Sequence, residues 1–199
     1  EFSSIEDDDY VHAFDEALKR HEKQINDIAN NPAPPDFENT IIALELSGDA
    51  LSRVSALFWN RAGAHSNDVI QALERQMAPK ISRHFSAIAM NKALFARVDA
   101  LWQNRESLGL DSEALRVLER HWKGFVRTGA LLDDGQQQRL AEISEELAGL
   151  GTQFSQNVLA DEKAWSMGLS DEEDLAGLPE FLREAMASAA RERGLDAPY

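Results

Sequence analysis

The chain has 199 residues, enough to bury a substantial core, and its 43% hydrophobic and 28% charged residues are those of an ordinary globular protein, not a disordered or collagen-like one. Asp plus Glu outnumber Lys plus Arg by 35 to 20, and the resulting formal charge of -15 repels a phosphate backbone, so no nucleic-acid partner is expected and solubility is the plain meaning of the acidity. There is no cysteine, which leaves only His, Asp and Glu as metal ligands, and no apolar run approaches the roughly 20 residues that span a bilayer, so no membrane partner is expected.

The chain opens at Glu1 without a Met and without a basic-then-apolar leader, which is read as a processed or cut start. The first predicted helix runs from about Asp8 to Asn30, with Val11, Phe14, Leu18, His21, Ile25 and Ile28 on one stripe. The acidic run Glu6 to Asp9 suits its positive end, and the Pro-rich stretch from Asn31 to Pro35 ends it. Asp36 is placed to cap a second helix carrying Phe37, Ile41, Leu44, Leu51, Val54 and Phe58, with a break in register near Ser47 and Gly48.

A loop at about Gly63 to Asn67 leads to a third helix, on which Ile70, Leu73, Met77, Ile81, His84, Phe85 and Ile88 are expected to face inward and Pro79 to introduce a kink. A fourth spans roughly Lys92 to Ser107 and stops at Gly109. Asp111 caps a fifth, whose buried face is read as Leu115, Leu118, Trp122, Phe125 and Val126, closed by Gly129.

The sixth, from about Asp133 to Ala160, is the most regular. Leu140, Ile143, Leu147, Leu150, Phe154 and Val158 make a seam that calls for a helical neighbour, and antiparallel packing within the chain is the expected answer. After an extended piece at Ala164 to Leu169, a last helix is expected to begin at Asp171 and to carry Leu178, Phe181, Leu182 and Met186. Gly194 to Pro198 reads as an exit from that helix into further chain. The fold class is all-α, a bundle of about seven long antiparallel helices, with no repeat of a fixed period. Residues 1–160 are read as a helical domain and 161–199 as a connecting segment and helix.

No complete catalytic or metal-binding motif is present, so no catalytic, cofactor-binding or metal-ligating residue is assigned. His21-Glu22 resembles the start of His-Glu-x-x-His, but Ile25 stands where the second His would be, and His21 is read as a plain surface or boundary histidine. No Glu has a His three residues on, which removes a di-metal bundle. His84 and His121 lie beside core aromatics and are read as ordinary hydrogen-bonded histidines, although sequence leaves open that they meet in space. No nucleophile elbow or phosphate loop occurs. Trp59, Trp102 and Trp122 are expected in the core; Trp165 either caps the bundle or meets an adjoining domain. The polar stretch Trp59 to Asn67 is a weak candidate for a ligand-facing loop.

Five stretches carry a resemblance. They are Asn31-Pro-Ala-Pro-Pro-Asp-Phe-Glu-Asn-Thr-Ile41, Leu94-Phe-Ala-Arg-Val-Asp-Ala-Leu-Trp102, Gly151-Thr-Gln-Phe-Ser-Gln-Asn-Val-Leu159, Leu175-Ala-Gly-Leu-Pro-Glu-Phe-Leu182 and Ala189-Ala-Arg-Glu-Arg-Gly194. In this order they resemble the N-terminal helical region of the thimet oligopeptidase family of zinc peptidases, most closely its bacterial peptidyl-dipeptidase branch. The resemblance implies a larger, mostly helical enzyme with a channel, one wall of which these helices form, and a single zinc ion held by a His-Glu-x-x-His helix that this chain lacks. It further implies short peptides as substrates, release of C-terminal dipeptides, an absent catalytic domain as partner, a monomer, and the bacterial cytoplasm. The competing reading is a free-standing helical binding or scaffold module whose apolar seams dock a partner helix.

Overall fold

The computed structural model describes residues 4–196 and 198–199, so the Glu1 start and Ala197 of the expected helix exit lie outside the described residues. Among the described residues every regular element is helical: α1 (Asp9–Ala29), α2 (Ala43–Glu45), α3 (Asp49–Ala64), α4 (Asp68–Ala89), α5 (Lys92–Gln103), α6 (Ser112–Arg127), α7 (Asp134–Ala164) and α8 (Glu180–Arg193). A π-helical turn, Phe37–Ile42, runs into α2, and a 3-10 turn, Arg105–Ser107, follows α5. The chain divides into two compact units, residues 1–154 and 155–199, with the division inside α7.

The starts are set by side chains that take up orphan N–H groups. Asn67, Asn91 and Asp111 accept from the backbone N–H of Ile70, Leu94 and Ala114 respectively. Asp36 and Asn39 form a reciprocal capping box at the π-helical turn. Arg97 of α5 is buried and clamps the Pro-rich stretch before that turn, its guanidinium donating to the carbonyls of Asn31 and Ala33 and to Asn39 Oδ1 at 2.7 to 3.0 Å. A guanidinium suits this place because its fork serves several acceptors at once and delivers charge-assisted bonds.

In the first unit α1 is the shared element, packing against α3, α4 and α5. Its N-terminal half gives Tyr10, Phe14 and Leu18 to one core with Leu51 and Phe58 of α3 and Ile70, Leu73 and Met77 of α4. Tyr10 and Phe14 meet the Phe58 ring edge-on at 5.2 and 5.3 Å. The C-terminal half gives Ile25 and Ile28 to a second core with Ile41, Leu94, Val98 and Leu101, Leu118 and Phe125. The expected second helix is split at Gly48, whose φ of 75° is a left-handed conformation that favours glycine, and α4 runs through Pro79 as one element.

Several expectations are corrected. Phe85 and Leu115 are exposed, because each lies on the flank of its helix while Met77 and Leu118 occupy the faces that meet the cores. The last helix begins at Glu180, not Asp171. Residues 172–177 are turns, Gly177 has φ 82°, and Pro179 both lacks an N–H and keeps the residue before it out of the α region.

The largest correction is α7. Beyond Leu140 its seam finds no neighbour within the first unit: Leu147, Leu150 and Phe154 are 62%, 53% and 69% exposed, and Ile143 is exposed too. The helix is tied to the rest of that unit through Gln137, whose amide donates to the Gly129 carbonyl at 3.0 Å, Leu140 against Gly129, and ion pairs of Asp134 with Lys92 and Glu145 with Arg83.

The second unit comprises the end of α7, the turns after it and α8. Leu175 is fully buried beside Arg183, which donates to the carbonyls of Leu175 and Leu178. Leu169 and Tyr199 exchange both backbone hydrogen bonds, and Arg193 donates to the carbonyl of Trp165.

Candidate functional site

On the α1 stripe, His21 falls one turn after Leu18 and one turn before Ile25, at the junction of the two cores. It is not a surface or boundary residue but 7% exposed. His84 of α4 lies against it, with Nε2 3.0 Å from His21 Nδ1, and Ser47 Oγ stands 3.3 Å from His21 Nε2. The Ser47 hydroxyl proton is spent on the Leu44 carbonyl at 2.7 Å. His21 Nε2–H must therefore donate to Ser47 Oγ, which leaves Nδ1 as the acceptor for His84 Nε2–H. The result is a one-way chain from His84 through His21 and Ser47 to the carbonyl of Leu44.

Both imidazoles are held below the ordinary histidine range. Burial is the larger cause for His21, with the proximity of His84 adding to it; burial also lowers His84, against an upward pull from Glu22. Gly48 completes the pocket wall. Its N–H donates to Gln24 Oε1 at 3.0 Å, and a Cβ there would stand 2.9 Å from His21 Cε1. Close approach and left-handed backbone thus both require glycine.

His21, but not His84, borders a cleft between α4 and α6. About 570 Å³ is lined chiefly by Ile88, Ala89, Val117, His121, Gly124 and Phe125, and an adjoining 280 Å³ by His21, Leu44, Ser47 and Gly48, with Phe85, Ile88, His121 and Phe125 common to both. His121 does not meet His84. It pairs instead with Glu45, Nε2 to Oε1 at 2.6 Å.

A zinc ion, which the resemblance implies for the larger enzyme, does not fit here. His21 and His84 are hydrogen-bonded to each other, and among the described residues no three His, Cys, Asp or Glu side chains converge to hold a metal.

The other sequence candidates separate. Trp59 to Ala64 is helix, not loop; within it Arg61 pairs with Asp7 at 2.7 Å, and beyond it Asn67 caps α4 and donates to Asp7. Trp59 is exposed against the expectation of a core residue. Trp102 and Trp122 stack at 5.2 Å, with Arg105 over Trp102 and the Trp122 indole N–H donating to Asp99. Trp165 is exposed. The His21–His84 pair was hidden from sequence reasoning because its members stand 63 residues apart. The one available signal was a histidine at a core position of an otherwise apolar stripe.

No family model matches the chain. It is 43% identical over 195 residues to the dipeptidyl carboxypeptidase of Escherichia coli (strain K12), covering 98% of this chain and 29% of that protein. The dipeptidyl carboxypeptidase of Salmonella typhimurium (strain LT2) gives the same figures, and the oligopeptidase A of that organism is 26% identical over 204 residues, 99% of this chain and 30% of that protein. The chain thus spans under a third of the length of the curated relatives it matches. These ordered similarities over nearly the whole chain place it in the thimet oligopeptidase family, as part of a protein akin to the bacterial dipeptidyl carboxypeptidases.

Proposed function

We propose that this chain is the non-catalytic N-terminal helical region of a zinc peptidyl-dipeptidase of the bacterial cytoplasm, and that it forms a wall of the channel through which short peptides reach the catalytic centre. The observation that carries this reading is 43% identity to dipeptidyl carboxypeptidase over 98% of the chain but only 29% of that enzyme. In this division of labour the part not spanned here holds zinc and cleaves, releasing C-terminal dipeptides. Residues 1–160 act as the helical domain and 161–199 as the connection towards the catalytic region. This chain's share is steric: rigid paired helices exclude folded proteins from the centre and admit extended peptides.

The test replaces the matching 29% of the E. coli enzyme with this chain and follows hydrolysis of N-blocked tetrapeptides by chromatography. The expected result is release of C-terminal dipeptides, abolished by a chelator, with no cleavage by the 199-residue chain alone. A folded replacement enzyme without activity, or cleavage by the isolated chain, would sink the reading.

A further inference from the structure

An amphipathic helix normally turns its large apolar residues towards its own protein. In the first unit α7 does so only at Leu140. Its contacts to that unit are made through Gln137, Leu140 and Glu145, and Ser144 and Ala148 are half-buried, whereas Ile143, Leu147, Leu150 and Phe154 are exposed. The exposed four are spaced by four, three and four residues, the register of a coiled-coil seam, and they run along roughly 17 Å of helix. Gly151, exposed at the shoulder of the seam with nothing within 4 Å of where its Cβ would stand, leaves room for a backbone to come close.

We propose that the Ile143–Leu147–Leu150–Phe154 seam is a docking surface for one α-helix supplied by the part of the polypeptide that this chain does not span. The inference rests on the reading of the chain as a region of a longer peptidase. The relatives carry more than twice this chain's length beyond the matched part, so an intramolecular occupant is available without the entropic cost of association. A second copy of the chain is the poorer occupant, because a stable pair needs roughly 800 Å² from each partner and four side chains do not supply it. The spacing selects a helix as the occupant, since knobs at these intervals fit holes between side chains of a helix crossing at a shallow angle of about 20°.

The chain has no cysteine, so a single introduced thiol reports on one place. Leu147→Cys and Leu150→Cys are made separately, in the isolated chain and in the E. coli enzyme carrying this chain in place of its matching part, with Gln138→Cys at an exposed position on another face as reference. Maleimide labelling is scored by mass spectrometry of the α7 peptide. The expected result is fast labelling of all three in the isolated chain and, in the enzyme, at least tenfold slower labelling of the two seam thiols with Gln138→Cys unchanged. Seam thiols that label in the folded enzyme as fast as in the isolated chain overturn the proposal. Protection that appears in the isolated chain and grows with its concentration also overturns it, in favour of a second copy. The peptidase assay on the enzyme without introduced thiols is read separately: protection without activity leaves the docking surface standing and removes the proposed function.

Discussion

α1 and α7 carry apolar stripes of similar regularity and meet opposite fates. Phe14, Leu18, Ile25 and Ile28 of α1 are buried in two cores built from α3, α4, α5 and α6, whereas Leu147, Leu150 and Phe154 of α7 remain exposed. A seam in a sequence therefore specifies a helix and the need for a cover, but not which part of a polypeptide supplies it. In α1 the cover is local. In α7 we assign it to chain beyond the described region, in keeping with relatives of which this chain spans 29%.

The contrast is sharpest in the cost of truncating side chains. Phe14→Ala and Phe58→Ala each remove a fully buried ring from the first core and are expected to destabilise the isolated chain by about 3 to 5 kcal/mol in urea unfolding. Leu147→Ala in the same chain should stay within about 0.5 kcal/mol, as for other exposed positions. A cost for Leu147→Ala comparable to the ring deletions would break the comparison.

Next in size is Arg97→Ala. It strands the carbonyls of Asn31 and Ala33 and the Asn39 side chain, and a loss of about 3 kcal/mol is expected. Gly48→Ala should cost about 2 kcal/mol, from the left-handed backbone and the approach to His21. Gly149→Ala is its counterpart on α7. That residue lies mid-helix with open space at its Cβ, so alanine should leave stability unchanged or raise it by up to about 1 kcal/mol. Chemical denaturation of the two variants side by side tests the sign as well as the size.

The smallest expected effect is that of pH. Both His21 and His84 titrate below the unfolded value of 6.5, so the unfolded chain binds more protons just beneath that pH. Their stabilising contribution is fully present above pH 6.5 and is lost as pH falls through the lowered folded values. Glu119 and Glu145, lowered by hydrogen bonds from Lys123 and Arg116 and from Arg83, act only beneath their reference value of 4.5 and so do not mask that upper window. Thermal unfolding midpoints measured from pH 7 to 5 should fall, and the fall should be shallower in His84→Gln. An unchanged slope in that variant would remove the pair as its source.

Local chemistry made most of the elements legible. Asp36 and Asp111 announced helix starts because a short carboxylate reaches an orphan N–H, and Gly48 announced the break because glycine tolerates positive φ. The start of α8 was misread because acidic residues at 171–174 imitate a first helical turn, while Pro179 decides the matter five residues later. The site was the least legible part. His21 meets His84 only because α1 and α4 pack side by side, and no interval in the sequence encodes that meeting. His121 likewise finds Glu45 across a gap of 76 residues. The outward face of α7 was unreadable for another reason: periodicity is the same whether the neighbour belongs to this region or another.

Amide hydrogen exchange on α1 and α7, in the isolated chain and in the E. coli enzyme carrying it, compares the two helices most directly. Exchange should be slow in the buried half-turns of α1 in both proteins, and around Leu147 to Phe154 fast in the isolated chain and at least tenfold slower in the enzyme. Equal protection of α1 and α7 in the isolated chain, or an α7 that stays unprotected in the folded enzyme, would contradict this.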